Sequence, residues 1–311
     1  MSLPPPALVA AAFLIFYSVS AAAEETMALA VSEIAPGIFV HRGVVDEEAS
    51  AANDDAIANI GFIVGDDAVA VIDPGGSAKE GHELHAAIRR RTDRPIRYVI
   101  LTHVHPDHIF GAAAFRGDHP DFIGHARLPG ALAQRGSYYL ERLRHSLGEA
   151  AKGSEIVAPT LLVSTGLNID LGERRLVVRA HGPAHTDNDL TILDEKTRTL
   201  WLADLLFVDR IPVIDGSIVG WLKELDGLTA VFADRAVPGH GPAAVMWPAA
   251  AGPERRYLEA VARDTRAAIK AGIGIANAYE QAANSERGHW LLFDEYHPRN
   301  VTASYKELEW E

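Results

Sequence analysis

The 311-residue chain contains no cysteine. It therefore has neither disulfide bonds nor thiolate metal sites, and any bound metal ion must be held by histidine and carboxylate side chains. Positive charge is also scarce, because 29 Lys and Arg residues stand against 42 Asp and Glu residues, a formal net charge of −13. A chain of this charge repels phosphate backbones and anionic membrane surfaces, which argues against a nucleic-acid partner.

The first 23 residues carry no charged side chain. An apolar run over residues 7–19 is followed by a small-residue segment that ends at Ala23, and then by two acidic residues. This pattern predicts a secretory signal peptide over residues 1–23, although the basic start usual in such signals is missing. After cleavage the domain of residues 24–311 would have no stable membrane insertion and, in a bacterium, would lie in the periplasm. An uncleaved anchor, or a true start near Met27, is the alternative.

The rest of the chain has no low-complexity linker. Apolar runs of strand length alternate with turn residues and with helical patterns such as residues 79–92, and the strand pattern returns after residue 160. A final amphipathic helix is predicted from about Pro253. With a hydrophobic fraction of 48%, these patterns predict a layered α/β fold, built as one domain with two similar halves.

The segment THVHPDH, residues 102–108, follows the apolar run YVIL and concentrates four metal-binding side chains. If the strand continues, side-chain alternation places His103 and His105 on one face, where both can reach one ion. Pro106 turns the chain, so that Asp107 and His108 can reach a second ion nearby. The motif therefore predicts a metal site at the end of this strand.

Three further candidate ligands follow strand-like runs: His185 in GPAHTDND, Asp204 in LWLADLLF and His240 in VPGHG. The order and spacing of these residues after the histidine motif resemble those of the metallo-β-lactamase superfamily. The resemblance covers the chain from about Ala35 to Pro242. The resemblance implies an αββα sandwich, in which two mixed β-sheets are flanked by helices. It also implies a dinuclear zinc site at one edge of the sandwich.

The resemblance divides the seven candidates between two zinc ions. The first ion would be bound by His103, His105 and His185. The second would be bound by Asp107, His108 and His240, with Asp204 bridging the pair. Two such ions share a water, lower its pKa toward about 7 and present hydroxide as a nucleophile. Asp107 is also the candidate catalytic residue, because a ligating carboxylate keeps one oxygen that can orient this hydroxide. Iron is a possible alternative to zinc, since both accept imidazole and carboxylate ligands.

Other residues have two interpretations at this stage. Asp73, in VAVIDPGG, either orients a ligand or initiates the turn. His181 lies four residues before His185 and is a weaker candidate, whereas the other histidines outside the motif are interpreted as surface or core residues. A segment after Asp204 offers either a substrate pocket or ordinary core. Its apolar candidates are Phe207, Ile211, Val213 and Trp221.

The substrate is less constrained. Members of the superfamily that hydrolyse β-lactams usually have Cys or Ser where this chain has Asp204, so the resemblance favours a small ester, thioester, lactone or related acyl substrate. The segment from Asp46 to Asp55 holds five acids and would repel a polyanionic ligand. Two alternatives remain open: a mononuclear iron oxygenase resembling persulfide dioxygenases, and a non-enzymatic metal-dependent binding or carrier protein.

A closer resemblance is carried by the export signal and by three segments, GPAHTDNDLTI, LWLADLLFVDRIP and FDEYHPRNVTASYKELEWE. Together they resemble the quinoprotein relay system zinc metallohydrolases, a group similar to the sulfur-oxidation-linked hydrolases. The resemblance implies association with a periplasmic quinoprotein dehydrogenase system.

Overall fold

The computed structural model of the protein describes Met1 and residues 27–311. The predicted signal peptide, residues 1–23, lies outside the described residues apart from Met1. No helix within the described part of the chain is long and apolar enough to cross a membrane.

The N-terminal half of the chain forms a seven-stranded mixed sheet whose spatial order follows the sequence. Its strands are β1 (Ser32–Ala35), β2 (Ile38–His41), β3 (Ile60–Val64), β4 (Val69–Ile72), β5 (Ile96–Leu101), β6 (Asp121–His125) and β7 (Leu161–Val163). The first four strands pair antiparallel, whereas β4 to β7 pair parallel. Parallel neighbours require crossover connections, and α1 (Ala78–Arg89) lies in the first of them.

The second half forms a six-stranded sheet in the order β13-β12-β11-β10-β9-β8. Its strands are β8 (Gly166–Asp170), β9 (Arg175–Ala180), β10 (Leu190–Asp194), β11 (Thr199–Phe207), β12 (Arg235–His240) and β13 (Val245–Met246). Pairing is antiparallel except between β11 and β12, which run parallel. Both sheets are therefore mixed.

Helices cover the outer faces of the two sheets. On the first sheet, α1 buries Leu84 and Ile88, which are spaced one helical turn apart. The remaining helices are α2 (Pro106–Ile109), α3 (Leu128–Ala131), α4 (Ser137–Leu147), α5 (Ile218–Thr229), α6 (Ala251–Lys270), α7 (Ile275–Ala278) and α8 (Phe293–Leu308). Shorter helical segments, tighter or wider than an α-helix, span Ala112–Asp118, Leu132–Gly136, Gly148–Ala151 and Asn284–His289. Helices α5, α6 and α8 cover the second sheet.

The two sheets face each other across a core of branched side chains that includes Ile72, Ile100 and Ile192. Every residue of β11 is buried, because one face of this strand meets the opposite sheet and the other meets the helices. Trp201 belongs to the core between the sheets, and its neighbour Leu202 belongs to the core under the helices. The αββα sandwich predicted from the sequence is confirmed.

Candidate metal centre

The THVHPDH motif lies beyond the end of a strand. β5 ends before His103, and α2 begins after His105, so both imidazoles occupy the connection between these elements. The prediction that strand alternation sets their directions is therefore wrong, because a loop positions them. Asp107 and His108 lie in the first turn of α2, which Pro106 begins at a position where its missing N–H costs no hydrogen bond.

The second sheet contributes the other three candidates. His185 lies between β9 and β10, Asp204 lies within β11, and His240 is the last residue of β12. β11 is irregular beside Asp204, where its register with β12 shifts on both sides of Ala203 and Ala203 has a φ of 47°. Such irregularities redirect side chains next to functional sites. Gly239 leaves space for the carboxylate of Asp204, since a Cβ at position 239 would lie 1.8 Å from Asp204 Oδ1.

A first cluster is formed by His103, His105, His185 and Asp204, whose donor atoms all lie within 4.8 Å of one another. Nδ1 of His105 is 3.1 Å from Nε2 of His103 and 2.9 Å from Nε2 of His185. Oδ2 of Asp204 is 3.8 Å from His103 Nε2 and 3.3 Å from His185 Nε2. The three predicted ligands of the first ion are thus brought together.

Hydrogen bonds on the far sides of two of these rings decide where their protons lie. Nδ1 of His185 donates to the carbonyl oxygen of Val213 at 2.7 Å. Nε2 of His105 lies 3.2 Å from the carboxylate of Asp215, to which it donates. In the neutral form of each ring, the remaining nitrogen faces the inside of the cluster and carries a lone pair.

The third ring follows the same rule. Nδ1 of His103 lies 3.0 Å from the hydroxyl of Thr102, and this hydroxyl donates its own hydrogen to Asp73. The hydroxyl must then accept the His103 Nδ1 hydrogen, which leaves a lone pair on Nε2. Three imidazole lone pairs at about 3 Å from their neighbours repel one another, and a cation between them removes the repulsion.

A second cluster is formed by Asp107, His108 and His240. Oδ2 of Asp107 lies 3.6 Å from His108 Nε2 and 3.4 Å from His240 Nε2. Nδ1 of His108 lies 2.8 Å from Asp73, and Nδ1 of His240 lies 2.8 Å from the carbonyl oxygen of Ile57. Each ring therefore has an acceptor on its outer side and presents Nε2 to the cluster.

Asp204 contacts both clusters. In addition to its distances within the first cluster, its Oδ1 lies 3.1 Å from His108 Nε2 and its Oδ2 lies 3.4 Å from His240 Nε2. This is the position that the predicted bridging ligand requires. All seven sequence candidates therefore meet at one place.

The protonation states of the buried side chains in the two clusters favour the binding of cations. Burial lowers the pKa of His103 well below its usual range and that of His185 to about 4, so both rings are neutral near pH 7. Burial also disfavours the charged form of His108, but three surrounding carboxylates outweigh it and raise its pKa well above the usual value. The positive charge of a protonated His108 offsets the negative charges of the carboxylates, and a bound metal ion would offset them in its place.

The donor set fits two metal ions. His108 Nε2 and Asp204 Oδ1 lie 3.1 Å apart without the geometry of a hydrogen bond, and neither has another hydrogen-bond partner among the described residues. Two buried polar atoms in this state are costly unless a ligand completes them. Five imidazoles and two carboxylates suit zinc and also suit iron. The arrangement therefore supports a dinuclear metal site and leaves the identity of the metal open.

Asp73 contacts a candidate metal ligand, as one of the two interpretations of the sequence expected. It follows β4 with a φ of 53°, in the left-handed region that Asp tolerates. Its carboxylate accepts hydrogen bonds from the Thr102 N–H and hydroxyl, each at 2.8 Å, and contacts His108. His181, by contrast, contacts Glu224 at 2.9 Å and Thr191 at 2.8 Å and belongs to neither cluster.

A cavity of about 240 Å³ opens over the two clusters. Phe207 and Val213 line it, as one interpretation of the sequence expected. Ile211 and Trp221 are fully buried in the core under the helices, so the pocket interpretation is wrong for these two. The cavity offers an apolar wall beside the metal-binding side chains.

Several residues of the site escaped the sequence analysis because no local motif marks them. Asp215 holds His105, and Arg210 and Tyr296 line the cavity. The acidic segment also reaches the rim, where Glu47 and Glu48 line the cavity. Their charges are partly neutralised, since Glu47 pairs with Arg299 at 3.3 Å and Glu48 pairs with Arg142 at 2.5 Å.

Comparison with known sequences agrees with this site. A sequence profile described as the metallo-beta-lactamase superfamily matches residues 53–240, which include all seven candidates. A linear primary-alkylsulfatase from Pseudomonas sp. (strain ATCC 19151) is 25% identical over an alignment of 236 residues, and the alignment covers 64% of this chain and 43% of the relative. The match thus spans less than half of that relative's length.

Solved structures share the fold at low sequence identity. A metallo-beta-lactamase from Pontibacter korlensis gives a TM-score of 0.61 at 16% identity and covers 74% of this chain and 99% of its own. The structure of TMB-1 gives a TM-score of 0.59 at 18% identity and covers 75% of this chain and 97% of its own. A metallo-beta-lactamase from Hirschia baltica gives a TM-score of 0.58 at 16% identity and covers 74% of this chain and 97% of its own. With the profile spanning residues 53–240 of 311 and the sandwich in place, this chain belongs to the metallo-beta-lactamase superfamily.

Proposed function

We propose that this protein is a dinuclear zinc hydrolase that acts on a small ester, thioester, lactone or related acyl substrate. The observation that supports it most directly is the convergence of five imidazoles and two carboxylates beside a cavity with an apolar wall. Two bound divalent ions would supply a water of lowered pKa as the nucleophile and would polarise the substrate oxygen.

The chain's own residues hold this chemistry in place. The carbonyl oxygen of Val213 keeps the proton of His185 on Nδ1, so that Nε2 faces the first cluster. Asp107 lines the cavity and is partly exposed. Its carboxylate is therefore placed to accept the proton of an attacking water. The apolar wall, which includes Phe207, excludes bulk water and packs against the acyl part of a substrate.

Metal analysis and a substrate panel test this proposal. We expect about two zinc ions per chain, and hydrolysis of at least one activated ester, thioester or lactone. Asp107→Asn should reduce kcat by about 10² to 10⁴, and His105→Ala should abolish activity together with zinc binding. The control is His145→Ala, an exposed histidine of α4, which should keep full activity. A fully metallated protein that is inert toward the whole panel would overturn the proposal.

Sulfate esters are a second candidate substrate class. The similarity to a linear primary-alkylsulfatase and the presence of Arg210 in the cavity wall both favour them. Primary alkyl sulfates therefore belong in the panel, with release of sulfate as the readout. Turnover of alkyl sulfates without turnover of acyl esters would favour this second class over the first.

Two rival functions have distinct signatures. A mononuclear iron oxygenase would purify with one iron per chain and would consume oxygen with a persulfide substrate. A metal-dependent carrier would bind a small cofactor tightly without turnover. Neither signature is expected of the hydrolase, so elemental analysis and oxygen uptake distinguish the three.

We also propose that the protein is exported, cleaved after Ala23 and linked in the periplasm to a quinoprotein dehydrogenase system. The uncharged, apolar beginning of the chain and the three segments similar to quinoprotein relay system hydrolases support this proposal. The mass of the protein recovered from the periplasm of an expressing bacterium tests the cleavage. A mass equal to that of the full 311-residue chain would contradict it.

A further inference from the structure

Glu254 is a buried acid that belongs to neither metal-binding cluster. It lies in the first turn of α6, the long helix under the second sheet, and is fully buried. Its Oε1 accepts the backbone N–H of Phe207 at 2.8 Å, whereas its Oε2 has no hydrogen-bond partner among the described residues. A buried carboxyl group that is only half satisfied is destabilising, so packing alone does not explain it.

The N–H of Phe207 has no strand partner on the side where Glu254 lies. Val208, the next residue, donates its N–H to the carbonyl oxygen of His240 in β12 at 3.0 Å. Successive N–H groups of an extended strand point to opposite sides, so that of Phe207 points away from β12. On that side β10 pairs with β11 only as far as Trp201. The carboxyl group of Glu254 therefore replaces a missing strand partner at the end of β11.

The ring of Phe207 contacts one candidate ligand from each cluster. It stacks on the ring of His240, with centroids 5.1 Å apart and an interplanar angle of 20°. It also lies 5.5 Å from the ring of His185, at an interplanar angle of 53°. Close-packed interiors transmit small displacements to neighbouring side chains. Loss of the hydrogen bond from Phe207 to Glu254 would therefore disturb ligands of both proposed ions.

The helix dipole offers a different reason for an acid at this position, because negative charge is favoured in the first turn of a helix. An exposed acid would serve that purpose equally well, so the dipole does not require burial. The dipole also acts on charge, whereas the hydrogen bond to Phe207 needs only an acceptor oxygen within reach. Glutamine and aspartate therefore separate the two explanations. Glutamine keeps the reach and removes the charge, and aspartate keeps the charge and shortens the reach.

We propose that Glu254 is a positioning residue for the metal centre, which acts through the backbone and ring of Phe207 on His185 and His240. The inference rests on the proposed dinuclear site and assigns it a support from α6, a helix that carries none of the seven candidate ligands. Coordination geometry should then depend on the hydrogen bond at Phe207 and not on the general packing of α6.

Three variants test this inference by zinc affinity and by the visible spectrum of the cobalt-substituted protein. Glu254→Asp should lower zinc affinity about tenfold or more and shift the cobalt spectrum. Glu254→Gln should keep the spectrum of the wild type and an affinity within about threefold of it. The control for packing is Val261→Ala, two turns further along α6, because Val261 is fully buried in the same core. It should lower stability and leave the cobalt spectrum unchanged.

Hydrogen exchange of the Phe207 amide in chelator tests the contact without metal. Exchange should be as slow in Glu254→Gln as in the wild type, and about tenfold faster or more in Glu254→Asp. A wild-type cobalt spectrum in Glu254→Asp, or equal losses of zinc affinity in all three variants, would overturn the inference. A wild-type protein that binds neither zinc nor cobalt would instead contradict the proposed dinuclear site, and the exchange rates would still decide whether Glu254 holds Phe207.

Discussion

Asn300, in the C-terminal helix α8, holds the backbone on both sides of Val213. Its Nδ2 donates to the carbonyl oxygen of Pro212 at 2.7 Å, and its Oδ1 accepts the N–H of Ile214 at 2.9 Å. The carbonyl of Val213, between these two contacts, accepts the Nδ1 hydrogen of His185 at 2.7 Å. One buried amide therefore fixes the acceptor that orients a predicted metal ligand.

Replacing this amide should weaken metal binding more than it weakens the fold. Asn300→Ala frees residues 212–214, so the orientation of His185 is less well held and zinc affinity should fall by about 10- to 100-fold. Competition with a chromophoric chelator measures the affinity, and the visible spectrum of the cobalt-substituted protein reports the coordination geometry.

The matched control is the next residue of the same helix. Val301 is fully buried in the core under the helices, and Val301→Ala removes packing without removing a hydrogen bond to residues 212–214. It should lower the free energy of unfolding by about 1 kcal/mol or more and leave the cobalt spectrum unchanged. Equal losses of zinc affinity in the two variants would show that Asn300 acts only through stability.

Asp73→Asn should weaken metal binding at both clusters, because Asp73 contacts His108 directly and His103 through the hydroxyl of Thr102. The wild-type carboxylate accepts from His108 and twice from Thr102, and an amide with a single acceptor oxygen cannot serve all three donors. Asn tolerates the φ of 53°, so backbone strain does not explain a loss. Zinc affinity should fall by about 10- to 100-fold, measured by chelator competition. Asp67→Asn, which removes an exposed acid, should have no effect.

Removing the metal should destabilise the fold. Because lone pairs and carboxylates face each other in the two clusters, we expect the native state to bind zinc far more tightly than the unfolded chain does. Free zinc at a thousandfold excess over Kd would then add about 4 kcal/mol to the free energy of unfolding. Urea denaturation with chelator and with restored zinc measures the difference. The Asp204→Asn variant should lose most of this stabilisation by zinc. A urea midpoint of the wild type that does not change when zinc is added would contradict the proposed metal site.

Asp189 gives the fold a dependence on pH. Burial raises its pKa to about 6, against the opposing effect of hydrogen bonds donated by Thr186. In the unfolded chain this carboxyl ionises at a pKa of roughly 4. Below that pH both states are protonated and no stability is lost. Between about pH 4 and pH 6 the unfolded state releases its proton first, so stability falls as pH rises, and above pH 6 the loss is complete.

The Asn variant isolates this contribution. Asp189→Asn cannot ionise, so its stability relative to the wild type should increase by about 2 to 3 kcal/mol between pH 4 and pH 7. Urea denaturation of both proteins at each pH, in chelator so that metal release does not intervene, gives the difference. A difference that stays constant over this range would contradict the raised pKa.

The seven donor residues were predictable because their signals are short and local. His103 to His108 form one compact motif, and His240 ends the apolar strand β12. Asp204 was expected to follow a strand, but it is an acid inside the otherwise apolar strand β11. The layered α/β fold followed from the same runs, since strands buried on both faces, such as β11, are largely apolar. The arrangement of two facing sheets was predicted from the family resemblance. The loop conformation of His103 was not predictable, because the apolar run gives no sign that pairing stops at Leu101.

The supporting residues were not predictable because their partners are distant in sequence. Asn300 contacts a loop that lies 86 to 88 positions earlier, and Tyr296 contacts the backbone of Glu47, 249 positions earlier. Ile211 and Val213 are similar apolar residues two positions apart, yet only Val213 faces the cavity. Tertiary packing determines which of the two side chains faces the cavity, and the sequence of this segment has no periodicity that would predict it.

The candidate donor atoms are divided between the two halves of the chain, and for the proposed dinuclear site this division would govern when metal ions can bind. A nascent chain that has emerged as far as β7 carries only His103, His105, Asp107 and His108 of the complete set. The first cluster also needs His185 and Asp204, and the second needs His240. Neither cluster is therefore complete before the second sheet is synthesised and docked. Since selectivity among divalent ions depends largely on which ions are available, we expect the metal content of the proposed site to follow the compartment where folding finishes rather than the one where translation starts.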